Sequence, residues 1–188
     1  MTVFYTSDTH FMHGRCATEF RSYKNSEEHD ALLVYNWNQM VRKNDIVYHL
    51  GDVTGGSLKG LAYIPKLNGR KILIAGNHDV VNPMHRDWFK HLPKYLEVGF
   101  EAVMPFARRK VAGMQFLMSH FPYQNQGDHT DEERHSQYRL PDMGLPLVHG
   151  HVHDLFTERG RGLNVGVDQW DFTPVPEDVI VDWLKRVS

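Results

Sequence analysis

Five short polar motifs, each standing where an apolar, strand-like run ends, constrain this chain more than any other feature of its sequence. Asp8-Thr9-His10 follows Val3-Phe4-Tyr5, and Gly51-Asp52 follows the apolar residues 46–50. Gly76-Asn77-His78-Asp79 follows residues 71–75, Ser119-His120 ends the run 110–118, and Gly150-His151-Val152-His153 comes after Leu147-Val148. In open α/β sheets, ligands gather outside the carboxyl ends of the strands. If these strands share sheets, the five motifs meet at one edge. They then bring two carboxylates, one amide and several imidazoles together, a mixture that suits Mn, Fe, Co, Ni or Zn and suits Ca or Mg poorly. A lone D-x-H is expected about once by accident, G-H-x-H on the order of 0.1 times and G-N-H-D well under about 0.01 times, so the ordered set carries the signal. Glycines ahead of Asp52, Asn77 and His151 let the chain turn where backbone and ligand crowd together. The two-residue spacing of Asp8/His10 and of His151/His153 is expected to point each pair the same way along an extended strand end.

Between the strands lie helical patterns. Ser26 reads as an N-cap with Glu27 and Glu28 in the first turn, and Leu33, Trp37, Met40 and Val41 repeat at helical spacing on one buried face. Ser57 reads as the cap of a short helix ending near Pro65, and residues 83–91 read as another helix. Strands are expected around 100–107, 110–118 and 162–167, with Arg108-Arg109-Lys110 at a solvated hairpin tip. A last helix follows Pro176, its apolar face made by Ile180, Trp183, Leu184 and Val187. The polar stretch 124–137 reads as a loop or a loosely packed helix. Strands alternating with helices give one α/β domain over residues 1–188.

Composition narrows the function classes. The net charge is −2 with histidines neutral, which does not build a basic nucleic-acid-binding surface, so nucleic acid is not the favoured partner. No apolar run reaches the roughly 20 residues needed to cross a bilayer, and no signal-like leader precedes Val3. With one cysteine, Cys16, an internal disulfide is impossible. A cytoplasmic protein without a membrane partner is expected.

The ordered set D-x-H, G-D, G-N-H-D, H, G-H-x-H resembles the calcineurin-like metallophosphoesterase superfamily, above all its compact bacterial and phage members, over residues 8 to 153. The resemblance implies two facing β-sheets flanked by helices, a four-layer sandwich with two divalent transition-metal ions at one end. Mn is the ion most readily expected in vitro, with Fe, Zn, Ni or Co also suitable. It implies that Asp8, His10, Asp52 and His153 hold one ion, that Asp52, Asn77, His120 and His151 hold the other, and that His78 is the catalytic acid. The implied activity is hydrolysis of a phosphodiester, most simply of a small nucleotide such as a cyclic nucleotide, by a hydroxide held between the metals. A nuclease or phosphomonoesterase on the same metals, and an inactive metal-stabilised scaffold, are the alternatives. Ser/Thr protein phosphatases of the superfamily carry further Asp and Arg residues just after the bridging Asp. Here the stretch is Asp52-Val53-Thr54-Gly55-Gly56, with neither. Outside the motifs, His13 is placed to reach the mouth of the site, and Tyr123, Arg134 and Arg139 are candidate substrate contacts from an overhanging loop. His49 and His149 read as structural.

Overall fold

The computed structural model describes residues 1–187. Among the described residues ten strands form: β1 (Val3–Thr6), β2 (Ile46–His49), β3 (Arg70–Ile74), β4 (Phe100–Met104), β5 (Phe106–Val111), β6 (Met114–Ser119), β7 (Leu147–His149), β8 (Glu158–Arg159), β9 (Gly162–Asn164) and β10 (Val175–Pro176). The α-helices are α1 (Ser26–Met40), α2 (Leu92–Glu97) and α3 (Glu177–Val187). The strands make two five-stranded mixed sheets, ordered β10-β1-β2-β3-β4 and β5-β6-β7-β9-β8. Strands β1 to β4 run parallel, as do β6, β7 and β9, while β10, β5 and β8 are antiparallel at the sheet edges.

Alternation along β1 explains the layering. Phe4 packs with Leu33 and Trp37 of α1 and with Val41 just after it on one face, whereas Val3 and Tyr5 join Phe116, Met118, Val148 and Leu163 of the second sheet on the other. The first sheet is thus buried on both faces, which is why its strands read as continuous apolar runs. Helix α3 adds Ile180, Trp183 and Leu184 to the core shared by the two sheets.

Several local expectations shift. The α1 cap is Asn25, whose side chain accepts from the Glu28 amide, and Ser26 is already helical. Ser57 does cap its helix, a 3₁₀ stretch over Leu58–Lys66. Residues 83–91 are mostly turns with a short 3₁₀ segment, Trp88–Lys90, and the α-helix begins only at Leu92 with Pro93 in its first turn, where a missing amide is tolerated. Arg108-Arg109-Lys110 lies within β5 rather than at a tip, which falls at Ala112-Gly113. Arg109 lies over the Tyr5 and Tyr48 rings, 5.8 and 5.0 Å from their centroids, and pairs with Glu177. Among the described residues no helix is long and apolar enough to cross a membrane.

The parallel arrangement decides where the chemistry sits. β1, β2 and β3 point their carboxyl ends the same way in one sheet, and β6 and β7 do so in the other. All five polar motifs therefore emerge at one end of the sandwich.

Candidate metal centre

Beyond the strand ends the backbone stays zipped. The Asp8, His10 and Phe11 amides donate to the carbonyls of Gly51, Asp52 and Val53 at 2.9–3.0 Å, so the first two motifs lie side by side. Asp8, His10, Asp52, His151 and His153 all have positive φ, between 47° and 72°. This corrects the extended-strand reading: the paired residues face one point because both adopt the left-handed conformation, which non-glycine residues occupy at a cost of order 1–3 kcal/mol each. Glycines supply the remaining closeness. A Cβ on Gly76 would collide with the Asp52 side chain and amide, and one on Gly150 with the Ser7 and Asp8 side chains.

The seven proposed ligands converge. Nε2 of His10 lies 3.2 Å from Nε2 of His153 and 3.8 Å from Asp52 Oδ2. His153 Nε2 is 3.8 Å from Asp8 Oδ1, a buried oxygen without a hydrogen-bond partner. On the other side of Asp52, His120 Nε2 sits 3.5 Å from Asp52 Oδ2 and 3.0 Å from Asn77 Oδ1. The His120 and His151 ring centroids are 5.2 Å apart. Donor atoms of Asp8, His10 and His153, and those of Asp8, Asp52 and His120, each fall within 4.8 Å of one another. Lone pairs aimed at common points, with a buried carboxylate oxygen unmatched by any donor, are what divalent cations require. Burial pulls His10 well below the ordinary imidazole range and His151 down to about 3, so both rings are neutral and able to ligate.

His78 stands apart from this set. Its amide donates to Asp52 Oδ1 at 2.8 Å, while its ring is 41% exposed with Nε2 3.9 Å from Asp52 Oδ2. Its neighbour Asn77 faces inward and His78 faces the opening. His13 is beside it: its ring centroid lies 5.7 Å from that of His78 and 5.2 Å from that of His10.

The loop candidates divide differently. Tyr123 is fully buried and its hydroxyl donates to the Leu145 carbonyl at 2.8 Å, so it is a core residue and not a substrate contact. Arg139 is buried too, with Nη2 donating to Asp128 Oδ2 at 2.7 Å. Arg134, half exposed, donates through its side chain and its backbone amide to the same carboxylate. Both guanidiniums are turned inward because Asp128 is the buried charge that needs them.

Asp128 is the residue the motif pattern does not disclose. Its Oδ2 accepts from His151 Nε2 at 3.0 Å. With that nitrogen engaged, Nδ1 is left to face a metal, an outer-shell arrangement common around metal-binding histidines. Burial alone would lift the Asp128 carboxyl, but the bonds from His151 and Arg134 hold it well below the usual carboxylate range. Because His151 is neutral, the contact is a hydrogen bond rather than an ion pair. Asp128, His129 and His151 also bring donor atoms together, but this carboxylate is already saturated by arginines and orients His151. Asp128→Asn should weaken divalent-ion affinity by about 10–100-fold, measured by calorimetric titration. Affinity equal to that of the normal chain would show that His151 needs no such support.

Other supports were equally hidden. Asp79, the last residue of Gly-Asn-His-Asp, accepts from the amides of Asp52, Val53 and Gly76 and ties two motifs together; burial and the nearby Asp52 push it up to about 7. Arg21 makes a two-pronged bond to Asp168 and donates to the Asp8 carbonyl at 2.7 Å. His49 bonds Thr9 and the Gly51 amide and is pulled down to about 3 by burial, the structural role expected of it.

Known proteins resemble this chain in sequence and fold. The calcineurin-like phosphoesterase superfamily domain matches residues 1–176. The chain is 42% identical to the Gene 66 protein of Mycobacterium phage L5, over 98% of this chain and 95% of that one. It is 38% identical to the Gene 66 protein of Mycobacterium phage D29, over 93% and 92%. A solved structure of a protein of unknown function from Aquifex aeolicus superposes with a TM-score of 0.69 at 25% identity, covering 96% of this chain and 98% of that one. With a family match that spans both sheets and every motif at their shared end, the chain belongs to the calcineurin-like phosphoesterase superfamily, a family of metal-dependent phosphoester hydrolases.

Proposed function

We propose that this protein is a phosphodiesterase for small nucleotide esters, working with two divalent transition-metal ions. Asp8, His10, Asp52 and His153 would hold one ion, and Asp52, Asn77, His120 and His151 the other. The observation that carries this reading is the Asp52 carboxylate, 2% exposed, with Oδ2 between His10 Nε2 at 3.8 Å and His120 Nε2 at 3.5 Å. When bound, two such ions lower the pKa of water and neutralise charge on phosphoryl oxygens.

The chain's own residues do the rest. His78, exposed at the opening, donates a proton to the leaving oxygen. His13, half exposed next to it, lines the same mouth and contacts the phosphoryl group. Asp8 and Asp52 place two negative charges among the ligands, which favours a substrate of low charge. Among the described residues the nearby arginines are already engaged: Arg21 by Asp168, and Arg134 and Arg139 by Asp128. No guanidinium is left to balance the second charge of a monoester dianion, so a diester of charge −1 fits better.

Diesters should accordingly be cleaved with higher kcat/KM than monoesters bearing the same leaving group, with Mn²⁺ added near neutral pH. Nitrophenyl esters of both kinds provide the comparison. A higher kcat/KM for the monoester would remove the diesterase reading and leave a phosphomonoesterase.

A further inference from the structure

Beside the metal centre lies a cavity of about 200 Å³ lined by Phe20, His129, His153, Asp154 and Asp168. Its wall includes His153, one of the proposed metal ligands. A group attached to a phosphate held by that ligand set would have this space beside it. We propose that the cavity seats the nucleobase of the nucleotide ester, stacked in the recess between Phe20 and the His129–His153 ring pair; the assignment rests on the phosphoesterase reading above.

Three observations carry it. The first is flatness. The His129 and His153 rings are stacked, with centroids 5.0 Å apart and 23° between planes, so the pair offers an aromatic surface to the cavity it lines. Phe20 ends a short π-helical segment, Cys16–Phe20, and is 64% exposed. The Arg15 guanidinium lies 5.5 Å from the Phe20 ring centroid, and Arg15 is itself held by Glu19. The ring is thus exposed where a ligand can reach it. Stacking between aromatic side chains accepts any flat ring, and a nucleobase is one such ring carried by a phosphate ester.

The second is charge. Asp168 is neutralised by Arg21, but Asp154 is exposed and has no ion pair among the described residues. No lysine or arginine lines the cavity. A second phosphate would meet net negative charge there, which disfavours a polyphosphate or a continuing nucleic-acid backbone. A neutral group with N–H donors is favoured instead. Guanine, with adjacent ring and amino N–H groups, matches the two oxygens of Asp154.

The third is size. A space of about 200 Å³ lies below the 300–1,000 Å³ of sites for drug-sized ligands, so it takes one base rather than an oligonucleotide.

Binding of products separates this proposal from turnover. Calorimetry on the Mn²⁺-loaded protein would compare GMP, ribose 5-phosphate, phenyl phosphate, inorganic phosphate and guanosine. GMP should bind about 5–150-fold more tightly than ribose 5-phosphate, the range of one base stacked on an aromatic side chain. Phe20→Ala, at an exposed position, should leave the melting temperature and inorganic phosphate affinity unchanged and bring that ratio close to one. Asp154→Asn should weaken GMP and leave phenyl phosphate as it was. Equal binding of GMP and ribose 5-phosphate by the normal protein, or a preference that survives Phe20→Ala, overturns the cavity assignment. Phenyl phosphate binding as tightly as GMP, with Asp154→Asn affecting neither, overturns the nucleobase. Guanosine reports the cavity without phosphate: its loss in Phe20→Ala supports the assignment even where hydrolysis assays defeat the phosphoesterase reading.

Discussion

Asp52→Ala is expected to lose both metal ions and, with them, turnover. Each proposed ion shares this carboxylate, so one substitution removes a ligand and a negative charge from both. Outer-shell substitutions at metal sites typically cost about 10–100-fold, and loss of a shared inner ligand should exceed that range. Asp52 has φ 54°, where alanine is strained by roughly 1–2 kcal/mol, so Asp52→Asn serves as a control because asparagine tolerates that conformation better. Elemental analysis showing two equivalents of metal on the alanine variant would sink the assignment. The same carboxylate sets a pH dependence. Burial disfavours a charged His120, but the adjacent Asp52 outweighs this and holds the metal-free imidazole up at about 9. A metal must displace that proton, so apparent affinity in the normal chain should rise about tenfold per pH unit as pH increases, levelling above about 9. Removal of Asp52 takes away the charge that retains the proton, and the slope should flatten.

The second large effect is expected at His78. A positioned general acid contributes about 10²–10⁴-fold, but only where the leaving oxygen needs a proton. A ribose alkoxide is strongly basic and does; nitrophenolate departs readily as an anion and does not. His78→Ala should therefore lose roughly that factor on a cyclic nucleotide and far less on a nitrophenyl diester. Metal content should stay the same, because His78 touches the centre through its amide to Asp52 Oδ1 and leaves its ring in the opening. Equal losses on both substrates would indicate positioning or electrostatic stabilisation instead. Loss of metal would show that the ring belongs to the ligand set.

The two effects also bear on how the centre is held. Strained left-handed residues at Asp8, His10, Asp52, His151 and His153 persist only because their surroundings over-determine them. The backbone bonds between the first two loops, and the three amides gathered by Asp79, provide that constraint. Rigidity of this kind keeps donor atoms of like charge together before any cation arrives.

Much of this was legible along the chain. Apolar runs ending in polar motifs identified β1, β2, β3, β6 and β7, because a parallel strand buried on both faces leaves a continuous apolar signature. The donor types and their order followed from the same motifs, and His49 was readable as a core residue from its place inside an apolar strand. Helix α2 was less so: residues 83–91 have helical composition, yet their turns are fixed by contacts such as His85 Nε2 with the Asn77 carbonyl, 3.0 Å away. Arg109 sits inside β5 and not at a turn because the aromatic rings of Tyr5 and Tyr48 beneath it hold its guanidinium, a partnership that a basic triplet does not display in sequence.

What the sequence alone determined was part of the inventory: the parallel strands that end in polar motifs, the metal-binding side chains that follow them, and the charged residues in the loop after His120; the division of 100–119 into β4, β5 and β6, and the short edge strands β8 and β10, were not legible in it. What only the tertiary structure decided was the pairing within that inventory. Asp8 Oδ2 accepts from the His151 amide across 143 residues, and Asp128 reaches His151 across 23. Contacts at such separations depend on the register of two sheets and on how they face each other, and no local pattern encodes either. For the same reason Tyr123, Arg134 and Arg139, all in the stretch that follows the His120 motif, became a core residue and two partners of Asp128 once the loop folded over the buried carboxylate.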